Sequence, residues 1–116
     1  MNAYVMNPGS AEWRAVSVNT LKDMQALVGG YIEAVAVDPE DRFSIYVNEE
    51  GKLDGLEPCA VWMVDGVPYD VLVGPIVLRG PVDADGDDTI AYPIMRKWAA
   101  ENLAYFLTPS PVGAER

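Results

Sequence analysis

Residues 20–37, TLKDMQALVGGYIEAVAV, pass from one backbone periodicity to another within a single short run. Leu21, Met24, Leu27 and Val28 recur at spacings that gather them on one face of a helix. Thr20 is placed to accept a hydrogen bond from the exposed amides of the first turn, and Asp23 suits the positive end of the helix dipole. Gly29-Gly30 ends the helix, because glycine enters the left-handed region after the last turn without a Cβ clash. Tyr31–Val37 then has the residue types of a strand. A helix that stops on glycine and continues at once as a strand predicts an α+β domain.

Working outward, Ala3–Met6 is a short apolar run ended by Asn7-Pro8-Gly9-Ser10, and Trp13–Val18 alternates as a strand does. Downstream, Asp38-Pro39-Glu40-Asp41 interrupts the chain, Phe43–Val47 alternates again, and Asn48–Leu53 has the composition of a tight reversal. Cys59–Val64 leads to a turn at Asp65-Gly66, and Tyr69–Leu78 is strongly apolar, with Gly74-Pro75 marking a bulge or sheet edge. Pro93 fits the first turn of a closing helix. Ile94, Met95, Trp98, Ala99, Leu103, Tyr105 and Phe106 fill about half of its circumference, with Arg96, Lys97 and Glu101 opposite. The expected fold is a small mixed or antiparallel sheet of about 5–6 strands, a short helix near 20–28 and a C-terminal helix near 93–107. Residues 1–80 form the expected core domain, and 81–116 an acidic linker, the helix and a flexible tail.

The chain has 116 residues, half of them hydrophobic, which suffices for one packed core without disulfides or metal. One cysteine, Cys59, fits a reducing compartment, and no basic leader or long apolar run marks export or membrane insertion, so the expected location is the cytoplasm. Net charge is −10, which disfavours binding to nucleic-acid phosphates or anionic lipid. Residues 38–57 carry −5 and residues 81–88 carry −4, so the acidity is local to two stretches.

Three blocks in order carry a family resemblance: Leu27–Glu33, Val47–Leu56 and Asp70–Pro75. Over residues 20–80 the chain resembles an uncharacterised family of small bacteriophage and bacterial proteins, domain of unknown function 3846. The resemblance implies a phage-type genomic setting and no particular chemistry. The family tends to show proline then asparagine after the second block, where this chain has Pro58-Cys59. The helix after residue 88 is expected to fall outside the resemblance.

Catalytic constellations are sparse in the sequence. There is no histidine, so the commonest general base and zinc ligand is missing, and a Ser–His or Cys–His pair is impossible within one chain. Phosphate-cradling glycine patterns are absent. Asp65 and Asp70 could pair as acid and base only if the fold joins them. Asp83, Asp85, Asp87 and Asp88 fail the calcium-loop register, because Gly86 at the turn position puts Tyr92 where a glutamate is required. Cys59 is expected to be an inert thiol. No enzyme activity, cofactor or metal is therefore expected.

The candidate binding residues are Gln25, Tyr31, Asn48, Glu49, Lys52 and Trp98. Asn48–Lys52 concentrates donors and acceptors, although turn chemistry alone explains such residues. Three functions follow as expectations. The first is a phage-type accessory protein that binds and modulates a host protein, motivated by the apolar face of the last helix; self-association is the related case. The second is a binder of a small ligand or nucleotide signal, using Gly29-Gly30-Tyr31 with the Asn48–Lys52 turn; the charge argues against an anionic ligand unless Arg42, Lys52 or Arg79 converges on it. The third is an acidic DNA mimic, set back because the carboxylates cluster in two stretches.

Overall fold

The computed structural model describes residues 3–10, 12–40, 42–80 and 92–106. The acidic segment 81–88 and the tail beyond 106 lie outside the described residues, as do the aspartates weighed as a calcium loop. In chain order the elements are β1 (Ala3–Met6), β2 (Arg14–Val16), α1 (Leu21–Val28), β3 (Ile32–Ala36), β4 (Ser44–Asn48), β5 (Pro58–Val64), β6 (Val67–Val73), β7 (Ile76–Arg79), α2 (Tyr92–Asn102) and β8 (Leu103–Tyr105). The α+β class and both helices are as the sequence implies. The strands, however, divide between two antiparallel sheets, one ordered β2-β1-β7-β4-β3 and the other β6-β5-β8.

Helix α1 begins on a reciprocal cap. Thr20 Oγ1 accepts from the Asp23 amide at 3.1 Å, while Asp23 Oδ2 accepts from the amides of Thr20 and Asn19 at 3.1 and 2.7 Å. Those amides, Asn19 first, hold the Asp23 carboxyl below its ordinary value. Gly29 ends the helix at φ 80°. Met24 and Val28 bury against Ala3, Val5, Val18 and Val77 on one face of the larger sheet.

The opposite face of that sheet, through Met6, Ile45, Val47, Ile76 and Leu78, packs on Cys59, Ala60, Leu72, Met95, Ala99 and Leu103. The larger sheet is thus covered on both faces, by α1 on one side and by the small sheet with α2 on the other. Central β7 is therefore apolar at consecutive positions, Ile76-Val77-Leu78, where a half-exposed strand would alternate.

Two local readings change. Gly74-Pro75 is the point at which the chain leaves the small sheet for the large one, and Gly74 takes φ 72° there. A Cβ on Gly74 would also lie 2.7 Å from Leu56 Cδ1, so Leu56 closes over this crossing. The expected last turn of the C-terminal helix is instead β8. Leu103, Ala104 and Tyr105 pair with Trp62, Val61 and Ala60, and the Phe106 amide donates to the Cys59 carbonyl at 3.0 Å. Leu103 and Tyr105 satisfy a two-residue spacing as well as a helical one, and the open edge of β5 supplies the hydrogen bonds that decide between them.

The apolar arc of α2 faces its own core: Met95 and Ala99 are fully buried. Trp98 packs edge-on against Phe43, with ring centroids 5.8 Å apart. The middle of that arc is therefore taken up by the domain's own core.

Candidate functional site

A groove of about 510 Å³ opens between the β3–β4 side of the large sheet and the β5–β6 hairpin. Val35, Val47 and Leu72 supply apolar lining. Trp62 and Tyr69 stand on the hairpin side with centroids 4.8 Å apart and planes at 69°. Glu33 comes from β3, Asp70 from β6, and Glu49, Lys52 and Leu53 from the turn after β4.

That turn is built by Asn48. Its Oδ1 accepts from the Glu50 amide at 2.8 Å and its carbonyl from the Gly51 amide at 3.2 Å, starting the reversal. Its Nδ2 donates to the Val28 carbonyl at 3.2 Å, satisfying an open acceptor at the end of α1. Gly30 lets the backbone come this close, since a Cβ there would sit 2.8 Å from Asn48 Nδ2. The turn connects the two sheets and joins no hairpin, because β4 pairs with β3 and β7 whereas β5 pairs with β6 and β8. Lys52 reaches from it to the Asp70 carboxylate on β6 and so ties the turn to the hairpin.

Of the six sequence candidates, Asn48, Glu49 and Lys52 line this groove. The Asn48 amide already serves the fold at both its oxygen and its nitrogen. Tyr31 is joined to Glu49 through its backbone carbonyl, which accepts from the Glu49 amide at 2.8 Å, but its exposed ring is not part of the lining. Gln25 lies on α1, beyond the other face of the large sheet. Trp98 borders a separate depression of about 310 Å³ with Asp38, Arg42, Lys97 and Glu101. Among Arg42, Lys52 and Arg79 only Lys52 lines the groove, and its ammonium is already paired with Asp70.

The second depression is held by an ion pair. The buried Asp38 carboxylate accepts from Arg42 Nε at 2.7 Å and Nη2 at 3.1 Å, and from the amides of Arg42 and Glu40 at 2.9 and 3.3 Å. The Arg42 guanidinium, with these amides, lowers the Asp38 pKa to about 2 against the cost of burial. Glu40 joins at 3.1 Å from Arg42 Nη2. This network closes the β3–β4 connection and is structural.

Cys59 is buried beside the Met6 carbonyl, and burial pushes its thiol up to about 12, which leaves little nucleophilic thiolate at neutral pH. Asp65 occupies the β5–β6 turn at φ 52°, while Asp70 is engaged by Lys52, so the two do not act as a pair. Among the described residues no three His, Cys, Asp or Glu side chains are grouped to hold a metal ion, and no helix is long and apolar enough to cross a membrane.

Sequence reasoning did not select Glu33, Trp62, Tyr69 and Asp70 as groove residues. A signal was present in β6, where Val67, Tyr69 and Val71 alternate as a strand should. Apolar alternation does not say whether that face meets a core or solvent, and here all three side chains are exposed.

No curated protein and no solved structure matches the chain. Residues 1–101 match the model of a family described as a domain of unknown function, DUF3846, a span that extends beyond the 20–80 resemblance and takes in nearly all of α2. The chain belongs to the DUF3846 family.

Proposed function

We propose that this domain is a non-catalytic binding protein that holds part of a host protein in the groove between its sheets, in keeping with a phage-type accessory role in the host cytoplasm. The observation that carries the reading is the gathering of exposed apolar side chains around one concavity. Leu53 is 88% exposed, Tyr69 68% and Val71 37%, and all three border the groove. Apolar side chains scattered singly over a surface need no explanation, but a cluster rimmed by charged groups marks an interaction surface. The turn and hairpin that present them are fixed by Asn48 and by the Lys52–Asp70 pair, so little ordering remains to be done on binding.

A second reading, capture of a small ligand, is favoured by the size of the groove, which falls within the roughly 300–1,000 Å³ of small-molecule sites. The test compares capture of host proteins by the native chain, by a Leu53→Ser/Tyr69→Ser variant and by an Arg96→Ala control remote from the groove. A partner retained by the control and lost by the groove variant is the expected result. Equal capture by all three would place the interaction elsewhere.

A further inference from the structure

We infer that the groove docks an extended segment of a partner protein carrying a lysine or arginine between apolar residues, an inference that rests on the protein-binding reading above. The lining holds three carboxylates, Glu33, Glu49 and Asp70, against one ammonium, Lys52, which already pairs with Asp70. Among the described residues the Glu33 and Glu49 carboxylates have no ion-pair or hydrogen-bond partner. A guanidinium or ammonium supplies the charge this lining lacks, whereas an acidic segment meets uncompensated repulsion.

The aromatic pair points to the same chemistry. Trp62 and Tyr69 line the groove alongside the carboxylates, and an exposed aromatic ring attracts a cation through its quadrupole. Leu53 and Val71 supply apolar contact for the residues flanking the cation.

The extended form of the segment follows from β6. This strand pairs with β5 alone among the described residues, leaving its other edge open, and it exposes Val67, Tyr69 and Val71 at every second position. An open edge of seven residues is a template for an added strand. Pro68 withholds one amide from β6, and Asp70 accepts the Val71 amide at 2.8 Å, both of which restrain indiscriminate pairing. A cationic segment laid along this edge meets the unpartnered Glu33 and Glu49 carboxylates of the groove, so charge selects what is accepted. A second copy of this chain fits poorly, because two chains of charge −10 would bring like-charged grooves together.

The experiment selects a random displayed peptide library on the full chain and measures the enriched peptides by calorimetry. The expected peptides carry Lys or Arg between apolar residues. Their affinity should fall about tenfold in a Glu33→Gln/Glu49→Gln variant, fall further in high salt, and disappear in Leu53→Ser/Tyr69→Ser. Circular dichroism confirms that both variants are folded. Neutral or acidic peptides that still depend on Leu53 and Tyr69 would overturn the cationic inference and leave the groove reading standing. Peptides indifferent to Leu53 and Tyr69, or no enrichment at all, would overturn both. Spermidine or argininamide binding as tightly as the selected peptides would replace the protein segment with a free organic cation.

Discussion

Asn48 shows how a residue suited to recognition can be committed to folding. Its side chain joins the end of α1 to the start of the groove turn, and Gly30 leaves room for it. Asn48→Ala and Gly30→Ala should each cost about 1–2 kcal/mol, the first by orphaning polar groups and the second by displacing the amide. Because both act on one contact, the double variant should lose less than the sum, which urea unfolding of the cycle measures. Full additivity would separate the two residues. Asp38 makes a comparable commitment, and its pKa is lowered from 3.8 to about 2. A depressed carboxylate stabilises the fold above its unfolded value, and that contribution is lost as pH falls from about 4 toward 2. Asp23 acts in the same direction. Asp38→Asn should therefore be less stable than the native chain at neutral pH, and the gap should narrow on acidification. A gap constant across that window would refute the assignment.

At the scale of elements, α2 and β8 show a single apolar pattern divided between two structures. Met95 and Ala99 enter the core from the helix, and Leu103 enters from the strand that completes the small sheet. Met95→Ala should cost about 2–5 kcal/mol, as truncation of a fully buried side chain does. Lys97→Ala, on the exposed face of the same helix, should stay within about 0.5 kcal/mol. Chemical unfolding of the two variants makes the comparison, and similar costs would mean that α2 does not pack as described. The β5–β6 hairpin is the complementary case. Its turn, with Asp65 at φ 52° and Gly66 at φ 78°, was legible as Asp-Gly. The face its side chains would show to solvent was not.

For the whole molecule, the charge of −10 and the crowding of −5 into residues 38–57 mean that folding gathers like charges. Among the described residues, Asp38 and Glu40 pair with Arg42, and Asp70 pairs with Lys52. The thermal midpoint should therefore rise as sodium chloride increases from about 10 to 200 mM, through screening of self-repulsion. A falling midpoint would show that the ion pairs outweigh the repulsion. The passage from TLKDMQALV through Gly29-Gly30 to YIEAVAV determined a capped helix, its stop and the strand that follows, since caps, glycine stops and periodicity act between near neighbours in the chain. The family blocks were equally legible. Only the tertiary structure decided that the strands divide into two sheets at Gly74, that Leu103–Tyr105 leave the helix, and that Glu33, Trp62, Tyr69 and Asp70 meet Lys52 around one groove. The physical reason is the same in each case. Sheet pairing and the burial of a face depend on which open edge and which apolar surface a segment meets, and those partners are distant in the sequence.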